Sequence, residues 1–455
     1  MVAVEDTYFD MDDDDDDESQ YSQYETITGS RTFVTMALKH NAGVAVDLSK
    51  LRPSGSVGSN ELVAQGPTNF MAVYSAINRE VRRGNSFRNG AVALFLDFDH
   101  PDFEEFINIP VSEIPWAKRS VYVDDNMWKP EYKDRRQQLY KALADGTVFV
   151  GKKQYGRNGE RLYSQICMEV LIKSRGRCIL QHVNLGQIEK PEDLLDAFNE
   201  SMQSLVSLWN QLPDHPLYLP KEQDNQIGLG VLGLANMLSH FNVTYQEFVD
   251  ALKRVVRDYD LTLDSVAKEL AVYLVMGYEL AAKEAREAGL DRAFVIAPCA
   301  TVSFAYTDIN GYVCTPEISP PVCHPTTKMT RRISDDGFKD YQYPPNVEVA
   351  GYDVGVEVYD ELAKLFQEIM DDTGLAHSIS YNWWTTKQVN EDTFKQWYDS
   401  PLKTIYYRWN VLTSDQDKST IRMDVSAEEE AFWENTDEQA VTCGLSTGEC
   451  VSCAE

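Results

Sequence analysis

A cysteine two residues before a glutamate, in Ser164-Gln165-Ile166-Cys167-Met168-Glu169-Val170, is the stretch of this chain best equipped for chemistry. In an extended segment, residues i and i+2 point to the same side. The spacing therefore predicts Gln165, Cys167 and Glu169 on one face. A thiol, a carboxylate and a carboxamide gathered in this way make either a reactive centre or a plain hydrogen-bonded strand. Cys178 follows the turn signal Ser174-Arg175-Gly176, so a hairpin-like return would carry it back toward Cys167.

Three further stretches carry candidate chemistry. Cys299-Ala300-Thr301-Val302-Ser303 comes after the apolar run Ala293–Ala297. Small and hydroxylated residues between a strand and a helix can aim backbone N–H groups at an anion. The absence of a lysine there excludes a Walker-type loop, and a plain strand-to-helix connection is the alternative. In Lys403-Thr404-Ile405-Tyr406-Tyr407 a short strand ends in adjacent tyrosines. Hydrogen-bonded, stacked phenols pass an electron and a proton in coupled steps, whereas two strand tyrosines otherwise pack on opposite faces. Near the end, Cys450-Val451-Ser452-Cys453 on a glycine-bearing segment suits thiol–disulfide exchange. Half of a zinc site would need a second Cys-x-x-Cys, which the chain lacks. Cys314, Cys323 and His324 lack a second paired element too, so no metal site is expected and these thiols are read as buried or inert. The loop Arg82–Gly90 is basic and glycine-bearing, and taken by itself reads as an ordinary turn.

These residues need a scaffold, and the composition allows one. The 455 residues are 43% hydrophobic, enough for a sizeable core. With a mean hydropathy of −0.39 and no long apolar run, a membrane span is not expected. The start of the chain shows no secretory signal, so a cytoplasmic location is expected. A net charge of −30 repels phosphate backbones and argues against nucleic-acid binding, though not against a local nucleotide pocket. Eight cysteines without a leader point to catalytic, redox or quiet buried use, not to a disulfide framework.

Along the chain, residues 1–30 hold the acidic run Asp12–Asp17 and are expected to be disordered, apart from a short strand at Val2-Ala3-Val4. Helical spacing surrounds Phe33, Met36 and Ala37, and Gly43–Ser49 alternates as a strand. Pro67 suits the first turn of a helix, Ala91–Phe98 reads as a strand, and a helix starts after His100. Residues 111–160 are charged and mixed, with no clear motif. Pro191–Leu208 is an amphipathic helix. Gln226–Asn236 has Gly-x-Gly-x-x-Gly spacing without an evident strand–helix unit or acidic partner, so it reads as packing. The resulting division is 1–30, 31–110, 111–410 and a polar tail, 411–455.

The motifs, in this order, resemble the large, catalytic subunit of class I ribonucleotide reductase. That family carries Asn-x-Cys-x-Glu on a finger loop, here Gln165-x-Cys167-x-Glu169, and then a cysteine and an Asn-Leu-Gly run, here Cys178 and Asn184-Leu185-Gly186. Further matches are Leu51-Arg52-Pro53, Gly66-Pro67-x-x-Phe70-Met71, Arg88-Asn89-Gly90-Ala91 and His100-Pro101-Asp102. Pro298-x-x-Thr301-x-Ser303 and Lys403-Thr404-x-Tyr406-Tyr407 complete the set. Gln165, Cys299 and Ala300 depart from the commoner residues.

The resemblance spans roughly residues 31–455. It implies an α/β fold, a ten-stranded α/β barrel around a central finger loop, with residues 31–110 holding the dimer helices and specificity loops. It implies reduction of ribonucleoside diphosphates to deoxyribonucleoside diphosphates. Cys167 would become a thiyl radical, Glu169 the general base on the 3′-hydroxyl and Gln165 a substrate hydrogen-bond partner. Cys178 would supply reducing electrons with a second cysteine. Tyr406 and Tyr407 would relay the radical from a metal-containing small subunit, with no cofactor bound by this chain. Cys450 and Cys453 would be re-reduced by thioredoxin or glutaredoxin. Cys299–Ser303 would hold the substrate diphosphate. Ser86, Arg88 and Asn89 would bind a deoxynucleoside triphosphate or ATP effector in a homodimer. The family's first barrel strand carries the redox partner of the second cysteine, but no cysteine precedes Cys167 here and Met1 falls near that place. A split reductase completed by an N-terminal chain, from a virus or an interrupted gene, is therefore expected; in a virus its location would be the host cytoplasm. The alternatives are a class II, cobalamin-dependent reductase, which lacks the tyrosine pair, and a non-catalytic effector-binding or assembly fragment.

Overall fold

In the computed structural model, residues 1–8, 22–58, 61, 63–81, 90–322, 329–334, 337–385, 389–411 and 421–423 are described. Short runs rich in Val, Ala, Leu and Phe, buried on both faces, form parallel strands, as sheets covered by helices require. In chain order, β1 (Val2–Ala3), β2 (Val44–Asp47), β3 (Val92–Asp97), β4 (Lys118–Val123) and β5 (Val148–Lys152) form one parallel array. A finger follows, built from β6 (Gln154–Tyr155), β7 (Arg161–Ser164) and β8 (Leu171–Ile172). The second parallel sheet takes β9 (Leu180–Asn184), β10 (Gln226–Leu232) and β11 (Arg292–Ile296). Past the hairpin β12 (Met329–Ser334) and β13 (Gly337–Tyr341), it gains β14 (Ala376–Ile379). The remaining described strands are β15 (Asn382–Thr385), β16 (Thr404–Ile405), β17 (Tyr407–Val411) and β18 (Ile421–Met423).

β16 lies antiparallel on β5, so the first sheet has six strands and the second four. Hydrogen bonds tie the edges of the two sheets, or the loops beside them, at two places. At one, Tyr406 N–H donates to Tyr381 O at 2.8 Å, and Thr404 Oγ1 donates to Ile379 O at 2.6 Å. At the other, Arg175 N–H donates to Met1 O at 2.8 Å, and Ala3 N–H donates to Ser174 Oγ at 3.0 Å. The finger enters between the two sheets in sequence. The six and four strands make up the ten of the α/β barrel that the family resemblance implies.

Parallel strands need crossovers, and helices supply them. They are α1 (Ile27–Lys39), α2 (Thr68–Glu80), α3 (Phe103–Asn108), α4 (Lys133–Ala144), α5 (Asp193–Gln211) and α6 (Leu234–Phe241). Then come α7 (Tyr245–Asp258), α8 (Val266–Glu287), the single turn α9 (Ala300–Ser303), α10 (Val356–Asp372) and α11 (Glu391–Tyr398). α5 shows the pattern: Leu194, Phe198, Met202, Leu205 and Trp209 form one buried stripe. Thr244 and Glu247 close a capping box at the start of α7.

Three local expectations change. Within residues 1–30 the short strand expected at Val2-Ala3-Val4 is present, over Val2–Ala3, but α1 already begins at Ile27, so the other end of the supposedly disordered segment is ordered too, because its apolar side chains join the core. Residues 111–160 supply β4, α4 and β5. The glycines of Gln226–Asn236 do stand in a strand–helix unit, with Gly233 at φ +75° between β10 and α6. Gly228 and Gly230 lie inside the strand, however. A Cβ on Gly228 would run into Leu180 and come 2.9 Å from Val295 Cγ1, and one on Gly230 would come 2.9 Å from Val295 O. Close strand packing, not phosphate approach, requires them.

Candidate active site

The finger tip is a turn, which corrects the extended segment expected from the alternation. Gln165 N–H donates to Val170 O and Met168 N–H to Gln165 O, both at 2.9 Å, and Met168 takes φ +71°. The hairpin pairing of Ser164 with Leu171 forces this reversal, so Cys167 sits at its apex. A β-turn still leaves Cys167 and Glu169 close in sequence, both almost wholly buried.

Neighbours fix the tip from several sides. Ser380 Oγ donates to Cys167 O at 2.7 Å, and Ser378 N–H donates to Glu169 O at 2.8 Å. His377 Nδ1 accepts from Leu171 N–H at 3.1 Å, while its Nε2 lies 2.9 Å from Ile227 O. That pairing requires a neutral ring with the proton on Nε2, and burial holds the pKa of His377 well below the ordinary value. At the base of the finger, Arg161 meets Asp97 at 3.0 Å and stacks over Tyr122, with Tyr122 Oη accepting from Ser164 N–H at 2.7 Å. At the other arm, Arg292 Nε donates to Leu171 O at 2.8 Å and its guanidinium pairs with the buried Asp224. Asp224 in turn accepts from Lys173 N–H at 3.1 Å. Arg292→Met would leave Asp224 buried without its cation. A loss of about 3–5 kcal/mol in urea unfolding is expected, the cost of breaking a buried ion pair from one side.

The chemistry of the tip follows from its hydrogen bonds. Tyr406 Oη lies 3.6 Å from Cys167 Sγ as donor to sulfur. The Tyr406 and Tyr407 rings are 4.2 Å apart at 50°. Phe149 braces both, with centroids 4.8 Å from Tyr406 and 5.1 Å from Tyr407. The tyrosines do not share one strand: β16 ends at Ile405 and β17 begins at Tyr407, and this break lets both rings lie on Phe149. Two polar atoms at the tip, Gln165 Oε1 and Glu169 Oε2, are buried with no hydrogen-bond partner among the described residues. Such orphans mark a place built for something not made of protein.

Burial raises the Glu169 carboxyl from 4.5 to about 7, against a backbone hydrogen bond that lowers it. Between those two values the folded protein holds a proton that the unfolded chain releases, so stability from this site falls as pH rises through that window. A base here is competent only above about 7. Turnover is therefore expected to rise with pH across that value, and Glu169→Gln to lower it by on the order of 10²-fold or more, as measured in a pH–rate profile.

Cys178 sits on the loop into β9, half-buried, its Sγ donating to Ile179 O at 3.4 Å. Burial and the carboxylates of Glu169 and Asp224 push its thiol pKa well up. Cys299 lies at the start of α9, where its N–H donates to Glu317 Oε1 at 2.8 Å and its Sγ accepts from Glu317 N–H at 3.2 Å. Ser303 N–H donates to Cys299 O, and Ser303 Oγ donates to Ala300 O. Thus Ala300, Thr301 and Val302 form one short turn, and the amides at its two ends, Cys299 and Ser303, are engaged within the protein. Burial raises the Glu317 carboxyl to about 7. Cys314 is buried, its thiol pushed up to about 12. Ser86, Arg88, Asn89, Cys323, His324, Cys450 and Cys453 lie outside the described residues. Among the described residues no three His, Cys, Asp or Glu side chains gather to hold a metal, and no helix is long and apolar enough to cross a membrane.

Sequence reasoning missed His377, Ser378, Ser380, Phe149 and the two arginines. The polar run His377-Ser378-Ile379-Ser380 inside a buried strand was a usable signal. Phe149 and the arginines left none, since their partners are distant in sequence.

An α/β barrel of ten strands around a thiol-tipped finger is the architecture that the resemblance to the ribonucleotide reductases implied. Residues 18–166 match the family model described as the ribonucleotide reductase barrel domain. Over 439 residues the chain is 23% identical to a vitamin B12-dependent ribonucleoside-diphosphate reductase of Thermoplasma acidophilum, covering 83% of this chain and 55% of that protein. A vitamin B12-dependent ribonucleotide reductase of Streptomyces avermitilis is 36% identical over 78 residues, 17% of this chain and 8% of that one. In structure, the Actinobacillus ureae class Id ribonucleotide reductase alpha subunit aligns with a TM-score of 0.60 at 16% identity, covering 91% of this chain and 83% of that one. The chain spans about half the length of the Thermoplasma relative. Its first third thus matches the ribonucleotide reductase barrel model, and its fold is like that of the class Id alpha subunit.

Proposed function

We propose that this protein reduces ribonucleoside diphosphates to 2′-deoxyribonucleoside diphosphates, with Cys167 as the radical centre, as the catalytic subunit of a class I enzyme. The observation that carries this is the line of contact from Tyr407 through Tyr406 to the Cys167 thiol, with centroids 4.2 Å apart and oxygen 3.6 Å from sulfur.

An oxidised Tyr406 regains its phenolic hydrogen as Cys167 gives up the electron and proton of its S–H bond. The sulfur radical takes hydrogen from C3′ of the ribose. Glu169, deprotonated, accepts the 3′-hydroxyl proton, and the Gln165 carboxamide holds a hydroxyl beside it. The 2′-hydroxyl leaves as water, taking a proton from a thiol. Cys178 and a second thiol deliver two electrons and become a disulfide, and Cys167 returns its hydrogen to C3′. Cys450 and Cys453 reduce that disulfide and are themselves reduced by thioredoxin or glutaredoxin. The turn Cys299–Ser303 holds the diphosphate. Ser86, Arg88 and Asn89 read a deoxynucleoside triphosphate or ATP effector in a homodimer. The radical comes from a metal-containing small subunit.

The vitamin B12 in the relatives' names favours a second reading, in which a corrinoid generates the radical at Cys167 without a relay. Against it, Tyr406 meets the sulfur and Phe149 backs Tyr406, so on that side of Cys167 buried aromatic rings stand where a corrin face would have to lie. No step is assigned to it.

The test is deoxycytidine diphosphate formation from CDP with dithiothreitol. The chain is assayed alone, with adenosylcobalamin, and with a small subunit and any N-terminal reductase chain encoded beside it. Activity that needs the small subunit supports the proposal, and activity with adenosylcobalamin alone overturns its class.

A further inference from the structure

Away from the barrel interior, α7, α8 and α10 form an outer layer that the reductase chemistry does not use. The segment between α7 and α8 inverts the ordinary distribution of side chains. Tyr259, Leu261 and Leu263 are 81, 62 and 50% exposed, and Val266 after them 43%. The residues that alternate with them do the anchoring. Arg254 Nη2 pairs with Asp260 at 2.6 Å and Asp264 at 2.7 Å. Lys268 reaches Asp260 at 3.4 Å, and Asp260 accepts from Thr262 N–H at 3.0 Å. Charge thus ties the segment down, and apolar side chains are displayed in a fixed row.

The row borders a solvent-open cavity of about 470 Å³. Its walls are Val255, Val256, Leu261, Val275 and Ile369. Tyr278 lines it as well, and its buried hydroxyl has no hydrogen-bond partner among the described residues. A continuous apolar row and pocket on an otherwise charged chain is the kind of patch that marks a protein contact.

Charge identifies the occupant. Of the basic side chains around the groove, Arg257 pairs with Glu361 and Glu368 and Lys253 with Glu361, while Arg286 in the lining donates to Thr373 O and sets one positive charge against two carboxylates. The carboxylates of Glu279 and Asp372 line the cavity with no ion-pair partner among the described residues. Neighbouring Glu368 and Asp371 are paired with Arg257 and Lys403, so the negative charge offered to a partner is that of Glu279 and Asp372. A second copy of this chain would set the same acids against each other, on molecules that each carry −30. We propose that this groove docks a basic amphipathic helix of a partner protein. Its apolar side chains enter the cavity, and its Lys or Arg side chains meet Glu279 and Asp372.

The probe is a labelled, photo-crosslinkable amphipathic helix of leucine and lysine, with a leucine–glutamate helix of the same pattern as control. Binding to the full chain is followed by anisotropy at physiological salt. The leucine–lysine helix is expected to bind and to crosslink within residues 255–279 or 369–373, and the control is expected not to bind. Leu261→Asp and Glu279→Lys, both at exposed positions and checked for folding by circular dichroism, are each expected to weaken binding at least about tenfold. Binding unchanged in both variants, or crosslinks elsewhere, would mean mere attraction to an acidic protein and would overturn the proposal. A dimer of the wild type that Leu261→Asp dissolves in sedimentation would overturn it too, in favour of a second copy.

Discussion

Cys167→Ser is expected to abolish deoxynucleotide formation, a fall on the order of 10³-fold or more, with the fold and nucleotide binding kept. The substitution changes one atom at the apex of the finger. The tip is held by backbone contacts to Ser380 and Ser378 and by His377 on Leu171, none of which uses the sulfur. A serine hydroxyl would fill the site beside Tyr406 and still hydrogen-bond to it. What it cannot do is give up its hydrogen atom to a phenoxyl radical, because an alcohol O–H bond is much stronger than a thiol S–H bond. The check is turnover of CDP beside a binding titration of the same variant. Activity within about tenfold of the parent would remove Cys167 from the chemistry.

Tyr406→Phe is the second large effect, again on the order of 10³-fold or more in turnover. Phenylalanine keeps the ring on Phe149 and on Tyr407, so packing changes little. Only the hydroxyl that meets the Cys167 sulfur is lost, and with it the means of moving a proton together with an electron. Substrate affinity should stay near the parent value. A variant that binds nucleotide and turns over normally would show that the thiol is activated from another direction, as the corrinoid reading requires.

Much of this site is legible in the sequence because its chemistry is compressed into short motifs. Gln165, Cys167 and Glu169 are separated by single residues, and Tyr406 and Tyr407 are adjacent. What the sequence could not carry was the shape of the finger. Alternation suggested an extended segment, but the pairing of Ser164 with Leu171 closes a turn in which Met168 adopts a positive φ that methionine gives no hint of. Region 111–160 was opaque for a different reason. β4 buries Arg119, whose guanidinium donates to Ile107 O at 2.7 Å and Ile109 O at 2.6 Å at the end of α3. α4 buries Arg136 among Leu139, Tyr140 and Leu143. A charged residue at a buried position erases the apolar period on which such reading depends. The barrel's order was recoverable only through the family resemblance, since β16 pairs with β5 across some 250 residues that contain the whole second sheet.

The central claim is that the radical reaches Cys167 through Tyr406. Its most direct test is to replace Tyr406 by 3-aminotyrosine, a more easily oxidised phenol, and to record electron paramagnetic resonance after mixing with small subunit, CDP and effector. The account predicts an aminotyrosyl signal at that position that forms only when substrate and small subunit are both present. Turnover without any such signal, or turnover sustained by adenosylcobalamin with no small subunit, would contradict it.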